Sequence, residues 1–152
     1  MKKINLDIII NAPREAVWDA IVDGSKYRAW TSVFQETSSF EGGWNKGDSI
    51  CFTALNEKGQ TEGMASQIAE STYPKYISIK HLGYIVDGVE DTTSEEIMKW
   101  APSFENYTID KLDENKTLFK LDMDATEEFY DMFMEIWPKA LLKLKEVSEA
   151  DI

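Results

Sequence analysis

The chain has 152 residues, 43% of them apolar, which is enough for a hydrophobic core without disulfides or metals. Its formal net charge is −12, a field that favours solubility and repels nucleic-acid phosphates and anionic membrane surfaces, so neither is expected as a partner. Cys51 is the only cysteine, so no intrachain disulfide forms, and without a second Cys or an adjacent His it reads as a structural thiol.

Residues 3–10 alternate, placing Ile4, Leu6, Ile8 and Ile10 on one face of a half-buried strand. The same run is interrupted by Asp7 and is too short for a secretory leader. The triplets Asn106-Tyr107-Thr108 and Asn115-Lys116-Thr117 therefore carry no weight as glycosylation sites, and a cytoplasmic location is expected. No stretch approaches the roughly 18 apolar residues of a membrane span.

Asn11 is placed to cap a helix whose first turn holds Pro13, Arg14 and Glu15. Ala16, Val17, Ala20 and Ile21 continue it at helical spacing. Asp23-Gly24-Ser25 ends it, and a short second helix is predicted from Lys26 to Trp30. A β pattern follows, with candidate strands at Phe34–Phe40, Ser49–Leu55, Thr61–Ala69 and Lys75–Leu82. The short connectors between them predict antiparallel pairing.

Residues 83–102 are acidic and punctuated by Gly83, Gly88 and Pro102, which predicts a long loop with a helical turn near Ser94–Trp100. A hairpin, Phe104–Lys111 and Thr117–Met123, turns at Asp113-Glu114-Asn115. From Thr126 to about Ser148 the chain reads as an amphipathic helix. Its apolar face carries Phe129, Phe133, Ile136, Trp137, Ala140, Leu141, Leu144 and Val147, and Pro138 is expected to bend it. Strands grouped ahead of a terminal helix make the class α+β.

No motif selects a catalytic residue. Gly42 to Gly47 has phosphate-loop spacing, but Asp48 stands where such a loop needs Lys, so the segment reads as a β-connection. His81 is the sole histidine; it shares a strand face with Ile77 and Ile79 and is available for one hydrogen bond to a ligand. A lone His makes a metal site unexpected, and the carboxylates lack calcium-loop spacing. Asp122 and Asp124, opposite Leu121 and Met123, read as a solvated strand face. No cofactor is implied. The five Trp, six Tyr and seven Phe exceed what sequence alone can divide between core and a cavity wall.

The run Ile10-Asn11-Ala12-Pro13-Arg14-Glu15-Ala16-Val17-Trp18-Asp19-Ala20 resembles the opening of START-like, or SRPBCC, domains. Tyr27-x-x-Trp30 extends the resemblance. Phe40-Glu41-Gly42-Gly43-Trp44-Asn45-Lys46-Gly47-Asp48 resembles the branch named for homologues of the heat-shock protein 90 ATPase activator. Glu105-Asn106-Tyr107-Thr108 and the helix around Trp137 and Leu141 also fit, so the resemblance covers nearly all of residues 1–152, as one domain.

It implies a helix-grip fold: a curved antiparallel sheet of about six to seven strands wrapped around the C-terminal helix, with two short helices after the first strand. It also implies an apolar small-molecule ligand in a cavity between sheet and helix. By that analogy Phe52, His81, Tyr107, Phe133 and Trp137 would lie near the cavity and Trp30 would guard its mouth. The alternatives are a protein-interaction or chaperone co-factor module, with a chaperone partner by analogy only, and a cyclase or hydrolase using His81 or a cavity Tyr as acid–base group. Fold alone does not choose among them. A homodimer is compatible with the sequence, though no feature demands it.

Overall fold

The computed structural model describes residues 1–150. An eight-stranded antiparallel sheet curves against one long helix. Strand β1 (Lys2–Ile10) leads into helices α1 (Arg14–Val22) and α2 (Gly24–Thr31). Strands β2 (Ser39–Gly42), β3 (Ser49–Leu55), β4 (Thr61–Thr72), β5 (Tyr76–Val86) and β6 (Val89–Asp91) follow. The single-turn helix α3 (Glu95–Met98) precedes β7 (Ser103–Asp113), β8 (Lys116–Ala125) and α4 (Glu127–Glu149). The strand order is β1-β8-β7-β5-β4-β3-β2, with β6 paired to β5.

Alternation along the strands builds the core. On β1, Ile4 and Ile10 are buried and Ile9 is exposed. On β8, Thr117, Phe119, Leu121, Met123 and Ala125 all face inward. Fully burying a large apolar side chain of this kind stabilises the fold by about 1.5–3 kcal/mol. Thr117 is a buried polar group made acceptable by its hydroxyl, which donates to the Ala12 carbonyl at 2.7 Å. That bond ties the start of β8 to the chain leaving β1.

Several boundaries differ from those read in the sequence. Residues 34–38 are turn rather than strand, because the Phe34 and Ser38 amides donate back to Thr31 and Gln35. Only the end of the expected segment pairs, as β2. Asn11 does not cap α1; Pro13 occupies that position, and the Asn11 amide instead donates to Glu149 at the far end of α4. Asp23 ends α1 and also caps α2, accepting from the Lys26 amide, so α2 begins two residues earlier than expected.

The predicted 83–102 loop is partly sheet. Strand β5 continues to Val86 and turns at Asp87-Gly88, both at positive φ, into β6. This adds an eighth strand to the six to seven expected. Asp122 and Asp124 are not simply solvated: Asp122 accepts from the Asn106 side chain, and Asp124 from Lys3 and from the Phe104 amide. Helix α4 runs unbroken through Pro138, whose ring is exposed.

Helix α4 packs against β1 and β8 and against α1 and α2. Its two halves behave differently. Ala140, Leu141, Leu144 and Ser148 are buried, whereas Phe129, Phe133 and Ile136 are only half-buried. The C-terminal half is docked on the sheet, and the N-terminal half stands over a gap.

Candidate functional site

That gap is a recess of about 630 Å³ between the sheet, α2 and the first half of α4. Its size falls in the range of small-molecule sites. Helix α2 supplies Tyr27 and Trp30, and α4 supplies Phe129, Phe133, Ile136 and Trp137. Strands β3 and β4 supply Phe52 and Met64, while β5 and β7 supply His81, Glu105 and Tyr107. Tyr84 and Trp100 stack on each other, centroids 4.8 Å apart, and also line it.

The sheet register sets these positions. His81 pairs directly with Ser66, and a bulge follows, so that Ala65 pairs with Gly83 and Leu82 has no counterpart. Beyond it Met64 pairs with Tyr84, and both line the recess. A bulge of this kind re-aims the side chains that follow it. Gly63 is required nearby: its φ is +154°, and a Cβ there would lie 1.9 Å from the Phe52 carbonyl oxygen.

A chain of polar contacts crosses this largely apolar wall. The Ser66 hydroxyl lies 2.7 Å from His81 Nδ1, and His81 Nε2 lies 3.1 Å from Glu105 Oε1. The Tyr107 hydroxyl donates to Glu105 Oε2. A Glu105 carboxylate only accepts, which places the imidazole proton on Nε2 and leaves Nδ1 to accept from Ser66. Burial first, and then the charge of Glu105, push the phenols of Tyr27 and Tyr107 far above 10. Both phenols therefore stay neutral donors.

The Ser66–His81–Glu105 order has the outline of a catalytic triad. Ser66, however, is buried and does not line the recess, so its hydroxyl is not presented to a molecule held there. Among the described residues no group of three or more His, Cys, Asp or Glu is arranged to hold a metal ion. No helix among them is long and apolar enough to cross a membrane.

No family model matches the chain, and no curated protein does. Solved structures do. The AHSA1-like protein from Aeromonas hydrophila superposes with a TM-score of 0.71 at 16% identity, over 99% of this chain and 94% of that one. The Aha1 dimer from Colwellia psychrerythraea gives 0.69 at 18% identity, over 98% and 97%. ChR145 from Cytophaga hutchinsonii gives 0.71 at 16%, over 99% and 96%. The chain has the helix-grip fold of these structures. At these identities the likeness is one of fold, and the recess has to be read from its own residues.

The helix-grip arrangement brings Trp30, Phe52, His81, Tyr107, Phe133 and Trp137 together around this recess. Two of them sit differently from the sequence expectation. Trp30 is not at the mouth: it is 1% exposed, lies against Trp137, and its indole N–H donates to the Ala20 carbonyl at 3.0 Å. His81 has no nitrogen left for a ligand, because Ser66 and Glu105 take both. Sequence reasoning missed Glu105, Tyr27 and Tyr84. The signal for Glu105 was present, since it alternates with Ser103, Tyr107 and Ile109 on the inward face of β7. A carboxylate at such a position is the informative exception to an apolar face.

Proposed function

We propose that this protein binds an apolar or amphipathic small molecule in the recess between its sheet and α4. The observation that carries this reading is the space under the N-terminal half of α4, about 630 Å³ with a mainly apolar wall that includes ten aromatic side chains. A helix serving only to close the core would bury Phe129, Phe133 and Ile136 as fully as it buries Leu141 and Leu144. Leaving three large apolar side chains half-buried forgoes stabilisation that a bound apolar molecule would recover.

Native mass spectrometry of the protein purified without added ligand, followed by denaturing extraction, tests the reading. A co-purifying small molecule supports it. An apo mass, together with no change in tryptophan fluorescence across a library of apolar compounds, counts against it, because Trp30, Trp100 and Trp137 all line the recess. The same spectrum reports whether the chain is a homodimer, a state supported by the dimeric Aha1 structure of the same fold.

A protein-interaction or chaperone co-factor role is the second reading. It is favoured by the fold shared with AHSA1-like and Aha1 proteins. Stimulation of a purified chaperone ATPase by this protein tests it, and no stimulation together with no captured chaperone would end it.

A further inference from the structure

The charge of the recess narrows what it takes, given the binding reading above. Three carboxylates line it, those of Glu62, Glu105 and Asp124, and no lysine or arginine among the described residues does. Asp124 is already compensated by Lys3 and by the amino terminus, whose residue Met1 is itself part of the wall. Glu62, in the wall, accepts from the Gln35 amide at 3.4 Å. Glu105 is the deep one: its side chain is 15% exposed, and its partners are an imidazole and a phenol.

A carboxylate offers about four lone-pair sites. His81 and Tyr107 take one on each oxygen, so Glu105 keeps acceptor capacity for a group entering the recess. Around it stand aromatic rings. Phe52 packs edge-on against His81 at 5.9 Å, Tyr27 lies 6.0 Å from Phe52, and Trp137 lies 6.5 Å from Tyr107. Ring faces attract cations, most strongly where water is excluded. An anionic head, by contrast, would be desolvated beside Glu105 with no lysine or arginine side chain in the wall to meet it, and the amino terminus at Met1 already acts on Asp124.

We propose that the recess selects a cationic amphiphile, an ammonium head on an apolar body, with the head on the Glu105 carboxylate among the Tyr27, Phe52 and Trp137 rings. A fatty acid or other carboxylate of the same shape is disfavoured.

The test measures affinities of matched probes for the intact protein by calorimetry. Decylamine, decanol and decanoate form one set; naphthylmethylamine, naphthylmethanol and naphthoate form a second. The amine of each set is expected to bind about tenfold or more tightly than its carboxylate, the value of one charge-assisted hydrogen bond. Glu105→Gln, checked for folding by its thermal transition, is expected to bring the amine down to the alcohol's affinity. It changes the net charge by one only, so a loss of preference reports the site rather than the acidic surface. If alcohol and carboxylate bind as well as the amine, the head-group inference is overturned and the binding reading stands. Should none of the six probes bind, both fall. If the amine preference survives Glu105→Gln, the head is elsewhere and the inference is overturned.

Discussion

His81 Nε2 lies 3.1 Å from Glu105 Oε1 across two paired strands, with the two side chains only 10% and 15% exposed. Glu105 is in turn held by Tyr107, two residues along β7 on the same face. The three groups form a chain centred on Glu105, which satisfies one polar group on each of its two neighbours. A double-mutant cycle of Glu105→Gln and Tyr107→Phe, followed by urea unfolding, is expected to give a coupling of about 1 kcal/mol or more, since a bond to a charged group contributes about 1.5–3 kcal/mol. Additive effects would show that the contact contributes nothing.

Trp30 joins α1 to α2 through its N–H bond to Ala20 and packs under Trp137. Trp30→Ala is expected to cost about 3–5 kcal/mol, a loss typical of truncating a large buried aromatic. The urea midpoint checks this. A shift equivalent to less than about 1 kcal/mol would mean that the helices close over the gap.

Asp124 makes stability depend on acid. Burial works to raise its carboxyl, but the bonds from Lys3 and the Phe104 amide outweigh it and hold the group below its ordinary value of 3.8. The folded chain therefore binds this proton less readily than the unfolded chain. The stabilisation is complete above the unfolded value and is lost as pH falls through the folded one. Asp124→Asn is expected to be less stable than the parent at neutral pH, with the gap closing below pH 3.8. A gap that stays constant down to pH 2 would remove the carboxylate from the explanation.

Cys51 is expected to be a sluggish thiol. Partial burial, then the charge and hydrogen bonding of Glu90 and the charge of Glu41, raise it above 9.0. Iodoacetamide should modify it more slowly at neutral pH than it modifies free cysteine. Glu90→Gln should speed the reaction. An unchanged rate in that variant would show that the carboxylate does not govern the thiol.

Much of the fold was legible locally. The β1 alternation, the β7–β8 hairpin and the 3.6-residue periodicity of α4 each record a face in the order of their residues. The errors fell where a local pattern had two outcomes. Residues 34–38 carry strand-like residues, yet the turn bonds to Thr31 and Gln35 prevail there. Asn11 suits a cap, but Glu149, distant in sequence, takes its amide. In α4 the periodicity shows which side faces inward and says nothing about how far away the opposing wall stands, so the half-burial of Phe129, Phe133 and Ile136 is not legible in it.

The sequence by itself determined the α+β class, the order of most elements and the inward faces of β1 and α4, while the helix-grip arrangement was implied by the family resemblance. The first three follow from propensity and period, properties of neighbouring residues. Only the tertiary structure decided that Trp30 is a buried brace, that both nitrogens of His81 are already bonded, and that Glu105 faces the recess without a lysine or arginine beside it. Those facts depend on strand register, on the bulge beside Ser66 and on the docking of only the C-terminal half of α4. Each is set by contacts between residues far apart along the chain, and a local pattern does not encode them.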